Sequence, residues 1–183
     1  MVSQLLEENS ANLRKAESLA AGLSTAQMNW RPQPGKWSIG QNLDHLNVIY
    51  RQQLDPIANS ISAARAKGIT GTGPFRYGWL STWFVKSMEP PPKRKFKAPK
   101  FYAPTPGVDP SKVLDNYRSN TARLSELMKK AEGLDLSRAK TPLVMPKWAK
   151  MPLGAMLWLT TTHDRRHLWQ IEQIRNDPNF PSS

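Results

Sequence analysis

The sequence predicts an all-α protein, a bundle of four long helices packed antiparallel or with a long crossover connection between the second and third. Three observations carry this. Apolar residues recur at steps of three and four over four long segments, capping and stop residues sit at the ends of those segments, and no strand-like alternation of comparable strength competes. The 183 residues, 39% hydrophobic with seven tryptophans, suffice for a sizeable core, so 1–183 reads as a single domain with an inserted crossover segment at about 68–110.

The first helix is expected from about Val2 to Leu23, where Leu6, Leu13, Ala16, Ala20 and Leu23 form an imperfect stripe around the polar pair Asn9 and Ser10. Ser24-Thr25-Ala26-Gln27 has capping-box spacing for a short helical turn, and Pro32, Pro34 and Gly35 keep the chain irregular up to Trp37. Ser38 and Gln41 repeat the box at the head of the second long helix. Its apolar series is Ile39, Leu43, Leu46, Tyr50, Leu54, Ile57 and Ile61, with His45 beside it. Pro56 lacks an amide hydrogen and crowds the carbonyl four residues earlier, which predicts a kink or break near Gln52.

From Gly68 to Pro110 the connection is long for a bundle, and such loops carry function or structure of their own. Trp79-Leu80-Ser81-Thr82-Trp83-Phe84-Val85 is apolar enough for a short helix against the bundle. Its aromatics are expected to pack in the core, with a substrate-pocket wall as the alternative. The third long helix starts at Asp109-Pro110, an acid at N-cap and proline at N1, and stops by Gly133. Val113, Tyr117, Thr121, Leu124, Met128 and Ala131 form its inner stripe, with Arg118, Arg123 and Glu126 outside. A loop with Pro142, Pro146 and Trp148 leads to the last helix, from near Pro152 to about Arg175. There Met156, Thr160, His163, His167, Gln170 and Ile174 recur at alternating steps of four and three, placing both histidines on the interior stripe.

The net charge of +12 admits nucleic acid, an acidic membrane surface, anionic substrates or simple solubility as its reason. Its densest run, Lys93 to Lys100, sits among prolines and reads as an extended solvated loop; no nucleic-acid-binding motif accompanies it, so nucleic acid is not expected as a partner. With no cysteine the chain has no thiolate ligand or thiol nucleophile, and sulfur chemistry would need a thiol co-substrate. Met1 to Ser10 carries Glu7 and Glu8 where a signal peptide needs a basic flank, and no stretch approaches about 18 apolar residues, so a soluble cytoplasmic protein without membrane association is expected.

His45, His163 and His167 are the only histidines. His163 and His167 stand four apart, so their Cβ atoms share a helix face roughly 5–6 Å apart and both rings can reach one divalent cation. His45 is the candidate third ligand. HxxxH alone also fits two solvated surface histidines, and Asp164 after His163 means that this is not HExxH. Apolar neighbours weigh for the metal, because an unpaired buried ring is costly. Gln170, one turn past His167, could orient a ligand or satisfy itself in the core; Asp44 and Asp164 should point about 100° from their histidine neighbours, so no general base is identified. Tyr50 reads as core.

The run Asn29-Trp30-Arg31-Pro32-Gln33-Pro34-Gly35-Lys36-Trp37-Ser38-Ile39-Gly40-Gln41-Asn42-Leu43-Asp44-His45-Leu46 resembles the DinB-like superfamily, including its YfiT-like metal-dependent hydrolase branch. Leu153-Gly154-Ala155, followed by His163-Asp164-Arg165-Arg166-His167-Leu168-Trp169-Gln170-Ile171, is similar to that family's second motif. The resemblance covers nearly the whole chain. It implies a four-helix bundle with a long crossover, a divalent metal on His45, His163 and His167, and a hydrolase or a transferase using a low-molecular-weight thiol such as bacillithiol, mycothiol or glutathione. It also implies a homodimer, which no apolar stripe in the sequence supports independently. Three imidazoles leave a coordination position open, the arrangement of catalytic sites, and zinc, nickel, manganese and iron all accept them. Two other readings compete: a non-catalytic binding or stress-associated module whose basic loop meets an acidic partner, and a purely structural role for the histidines as core hydrogen-bonders.

Overall fold

The structure, a computed structural model, describes residues 1–92, 99–105, 107, 109–144, 146 and 148–182. Lys93 to Ala98, most of the basic run, lie outside the described residues. Among the described residues the chain is all-α, apart from one small hairpin. In order come α1 (Val2–Ala20), α2 (Thr25–Asn29), α3 (Ile39–Ala66), α4 (Trp79–Met88), a 3₁₀ turn (Lys100–Tyr102), α5 (Pro110–Lys130), β1 (Lys140–Pro142), β2 (Lys150–Pro152) and α6 (Leu153–Arg175). α1 packs on α5 and α6, and α3 packs on the same two, so the four long helices surround one core; α4 lies against α6.

Local chemistry sets the helix starts. Ser38 Oγ accepts from Gln41 N at 3.1 Å while Gln41 Oε1 accepts from Ser38 N at 3.2 Å, satisfying two of the free amides at the head of α3. Ser24 and Gln27 make the same reciprocal pair for α2. Asp109 Oδ1 accepts from Ser111 N with Pro110 at the first helical position of α5. The expected stripes of α3 and α5 are buried throughout, from Ile39 to Ile61 and from Val113 to Ala131. The expected break near Gln52 does not occur: α3 runs uninterrupted with Pro56 inside it. Within it, Ser60 Oγ donates to the Pro56 carbonyl at 2.7 Å.

α1 presents a different face from the one expected. Its fully buried residues are Leu5, Asn9, Asn12 and Ala16, while Leu6, Leu13 and Ala20 are only partly covered. The asparagines go inside because α5 and α6 offer them acceptors. Asn9 Nδ2 donates to Thr121 O and Ser125 Oγ, both at 2.8 Å, and Asn12 Nδ2 donates to Thr161 O at 2.9 Å. The hairpin was also not foreseen. Lys140 pairs with Pro152 and Pro142 with Lys150 in antiparallel register, strands of three residues that are too short to show a period of two.

α4 runs alongside α6. Before its first turn, Tyr77 sits against Gly154, and beyond its last turn Glu89 Oε1 accepts from Arg165 Nη2 at 2.6 Å. Arg165 Nη1 also donates to Glu8 Oε2 at 2.7 Å, tying α1, α4 and α6 together. A Cβ on Gly154 would lie 1.9 Å from Tyr77 Oη and 2.9 Å from Leu136 Cβ. Gly154→Ala is therefore expected to destabilise the chain by about 1–3 kcal/mol through overpacking, measured as a lower urea midpoint at unchanged slope.

Candidate metal centre

The head of α3 and the middle of α6 bring the three histidines together. One ring nitrogen from each of His45, His163 and His167 lies within 4.8 Å of the others. Ligands about 2.0–2.1 Å from a shared ion lie roughly 3–4 Å apart, so the widest pair needs to close by about 1–2 Å at most. Ring centroids are 4.5 Å apart for His45 and His167, 4.6 Å for His163 and His167, and 5.3 Å for His45 and His163. His45 and His167 are buried and His163 is half-buried.

Two of the rings are aimed by their second nitrogen. Asn42 Nδ2 donates to Ser38 O at 2.9 Å, which turns its Oδ1 to His167 Nδ1 at 2.9 Å. An amide oxygen only accepts, so His167 carries its proton on Nδ1 and presents an unprotonated Nε2. The Tyr102 carbonyl, at 2.6 Å from His45 Nδ1, imposes the same tautomer on His45. Such partners fix ring orientation and raise ligand basicity. Trp37 stacks on His167 with centroids 5.8 Å apart and an interplanar angle of 23°, and tilts over His45 at 4.7 Å. Among the described residues His163 makes no hydrogen bond.

All three imidazoles favour their neutral form. Burial lowers His45, opposed by its hydrogen bond to Tyr102 O and by the charge of Asp44. His163 is lowered by burial first, then by His45 and Arg166. His167 goes well below the ordinary range through burial, with His163, His45 and Arg166 adding to it. Three neutral nitrogen donors, two with fixed Nε2 lone pairs, fit a borderline divalent cation without any proton having to leave at neutral pH.

The carboxylates beside the histidines face elsewhere, as their helical offset implied. Asp44 Oδ2 accepts from Thr105 N at 2.7 Å and so anchors the end of the crossover to α3. Gln52 Nε2 donates to Phe101 O at 3.0 Å, a second anchor. Asp164 Oδ2 accepts from the hydroxyls of Tyr50 at 2.6 Å and Tyr117 at 2.9 Å. Burial pushes the Asp164 carboxyl up to about 7 against the pull of the two hydroxyls and Arg165. Gln170 is half-buried and makes no hydrogen bond to the three rings among the described residues.

Sequence reasoning passed over Asn42 and the Tyr102 carbonyl. Asn42 carried a signal, since it lies three residues before His45 on the same helix face; a backbone carbonyl from the crossover carries none. Asn42→Ala is expected to weaken divalent-metal affinity about 10–100-fold while leaving helicity intact, read by competition with a chromogenic chelator.

A family model described as the DinB superfamily matches residues 8–171, a span that contains all three histidines, Asn42 and Tyr102. No curated protein and no solved structure matches the chain. With the model covering most of the sequence, from α1 to the last turns of α6, the chain belongs to the DinB superfamily.

Proposed function

We propose that this chain is a metal-dependent enzyme, a hydrolase or a low-molecular-weight-thiol transferase acting on a small molecule, with a divalent ion held by His45, His163 and His167. The observation that carries the reading is the convergence of three neutral imidazole nitrogens within 4.8 Å, with the rings of His45 and His167 aimed by Tyr102 O and Asn42 Oδ1. A divalent ion with three imidazole ligands keeps a position open and supplies Lewis acidity that acidifies a water or thiol there.

The chain's own residues do the remaining work. Asn42 and the Tyr102 carbonyl hold the Nδ1–H tautomers, so both Nε2 atoms stay available as donors at neutral pH. Trp37 covers one side of the ring cluster and keeps water from the His45 and His167 faces it touches. Asp44 and Asp164 are engaged by Thr105 and by the two tyrosines, which leaves neither as the general base. The absence of cysteine assigns any transferred sulfur to a thiol co-substrate.

The test loads the purified full chain separately with zinc, nickel, manganese and iron. Each form is assayed for hydrolysis of an ester and amide panel and for conjugation of glutathione, mycothiol or bacillithiol to an electrophile. Turnover that His163→Ala abolishes supports the reading and chooses its branch. Bound metal without turnover in either panel overturns it.

A further inference from the structure

We propose that the outward face of α4 is a docking surface for an anionic lipid bilayer. Sequence reasoning expected the aromatics of this helix in the core, and the structure divides them. Val85 and Met88 are buried and Phe84 is half-buried, whereas Trp79 is 80%, Leu80 59% and Trp83 49% exposed. Trp79, Trp83 and Lys86 stand at i, i+4 and i+7 on one helix face, with Leu80 about 100° to the side. A helix apolar on both faces satisfies only one of them against its own bundle.

The helix is held ready rather than loosely attached. Glu89 pairs with Arg165 just beyond its last turn, Arg166 Nη1 donates to Ser87 O at 3.3 Å, and Tyr77 packs by Gly154 ahead of its first turn. Binding therefore requires no folding of this element, and no backbone-ordering cost opposes it.

Charge selects the occupant. Lys86 is exposed on this helix and Arg76 just ahead of its first turn. The single acid from Arg76 to Lys100 is Glu89, whose charge is already met by Arg165. Tryptophan and leucine on one face with lysine and arginine around them is the composition of a helix lying in a headgroup layer, where indole rings sit at the interface and basic side chains meet anionic lipids. A second copy fits less well. The patch offers roughly 400 Å² of apolar surface, about half of what one partner contributes to a standard interface, and each copy carries +12. Single-stranded nucleic acid would use the indoles as stacking platforms but gains nothing from the aliphatic Leu80 between them. No helix is long and apolar enough to cross a membrane, which leaves attachment at a surface untouched.

The experiment is co-sedimentation of the full chain with vesicles of phosphatidylcholine alone and of phosphatidylcholine with phosphatidylserine at roughly seven to three. Binding to the anionic vesicles alone is expected, weakened at least tenfold in the double variant Trp79→Ser/Trp83→Ser and about threefold by Lys86→Glu, and suppressed at about 0.5 M salt. Circular dichroism confirms that each variant keeps its helices, as their exposure leads us to expect. Equal affinity for neutral vesicles, or unchanged binding in the tryptophan variant, would overturn the proposal. So would vesicle-free results that depend on the same tryptophans: binding of a single-stranded oligonucleotide, or a dimer in sedimentation equilibrium, with neither vesicle bound.

Discussion

Adding a matching divalent metal to the metal-free chain is expected to raise its melting temperature by on the order of 10 °C, and His163→Ala is expected to remove that rise. A ligand present at about a thousand times its dissociation constant stabilises the folded state by about 4 kcal/mol, and each kcal/mol moves the midpoint of a chain this size by about 2–4 °C. His163 is the most informative of the three positions to change. His45→Ala would also orphan the Tyr102 carbonyl and His167→Ala the Asn42 amide oxygen, whereas His163 has no hydrogen-bonding partner to strand among the described residues. Its loss removes a ligand and little else. Elemental analysis should show about one metal per wild-type chain and a metal-poor His163→Ala protein of unchanged helicity. A melting point that ignores every metal in the wild type would remove the site from consideration.

The second large effect lies in the polar cluster one residue from that ligand. Asp164→Ala is expected to destabilise the chain by about 2–6 kcal/mol, because Tyr50 and Tyr117 are both buried and each hydroxyl left without an acceptor costs about 1–3 kcal/mol. Replacing all three by apolar residues of similar shape should recover much of the loss, since no unsatisfied hydroxyl then remains. Asp164→Asn, which keeps an acceptor oxygen, should cost less than alanine. The carboxyl also carries a pH signature. Its folded value, about 7, lies above its ordinary 3.8, so its contribution to stability is complete below 3.8 and lost as pH rises through 7. The stability difference between wild type and Asp164→Asn should therefore be smaller at pH 8 than at pH 5 in chemical denaturation. The histidines work in the opposite direction. Their folded values lie below the ordinary 6.5, so the metal-free chain loses their contribution as pH falls below it. A difference that grows from pH 5 to pH 8 would contradict the Asp164 assignment.

The parts of this protein that the sequence determined by itself are those written in local periods and local caps. α3 and α5 bury the residues that their three-and-four spacing marks, because a helical face is fixed by 3.6 residues per turn wherever the helix ends up. Ser38 with Gln41, Ser24 with Gln27 and Asp109 with Pro110 start their helices as residue type dictates, since each cap is made within a few residues. The histidine triad was legible for the same reason: two members share one turn of α6, and the third sits on the inner side of α3.

Tertiary structure decided what depends on groups far apart in the chain. The proton positions of His45 and His167 are set by partners 57 and 125 residues away, one of them a backbone carbonyl that residue type does not reveal. Asn9 and Asn12 share the inner face of α1 with Leu5 and Ala16, ahead of Leu6 and Leu13, only because α5 and α6 present acceptors there; in isolation, asparagine reads as solvent-facing. Composition made α4 a core helix on both faces, yet α6 has room for one, and the other keeps Trp79, Leu80 and Trp83 outside. Asp164 is spent on two tyrosines from other helices rather than on the neighbouring histidine, because side chains at adjacent positions of a helix point about 100° apart and meet different partners.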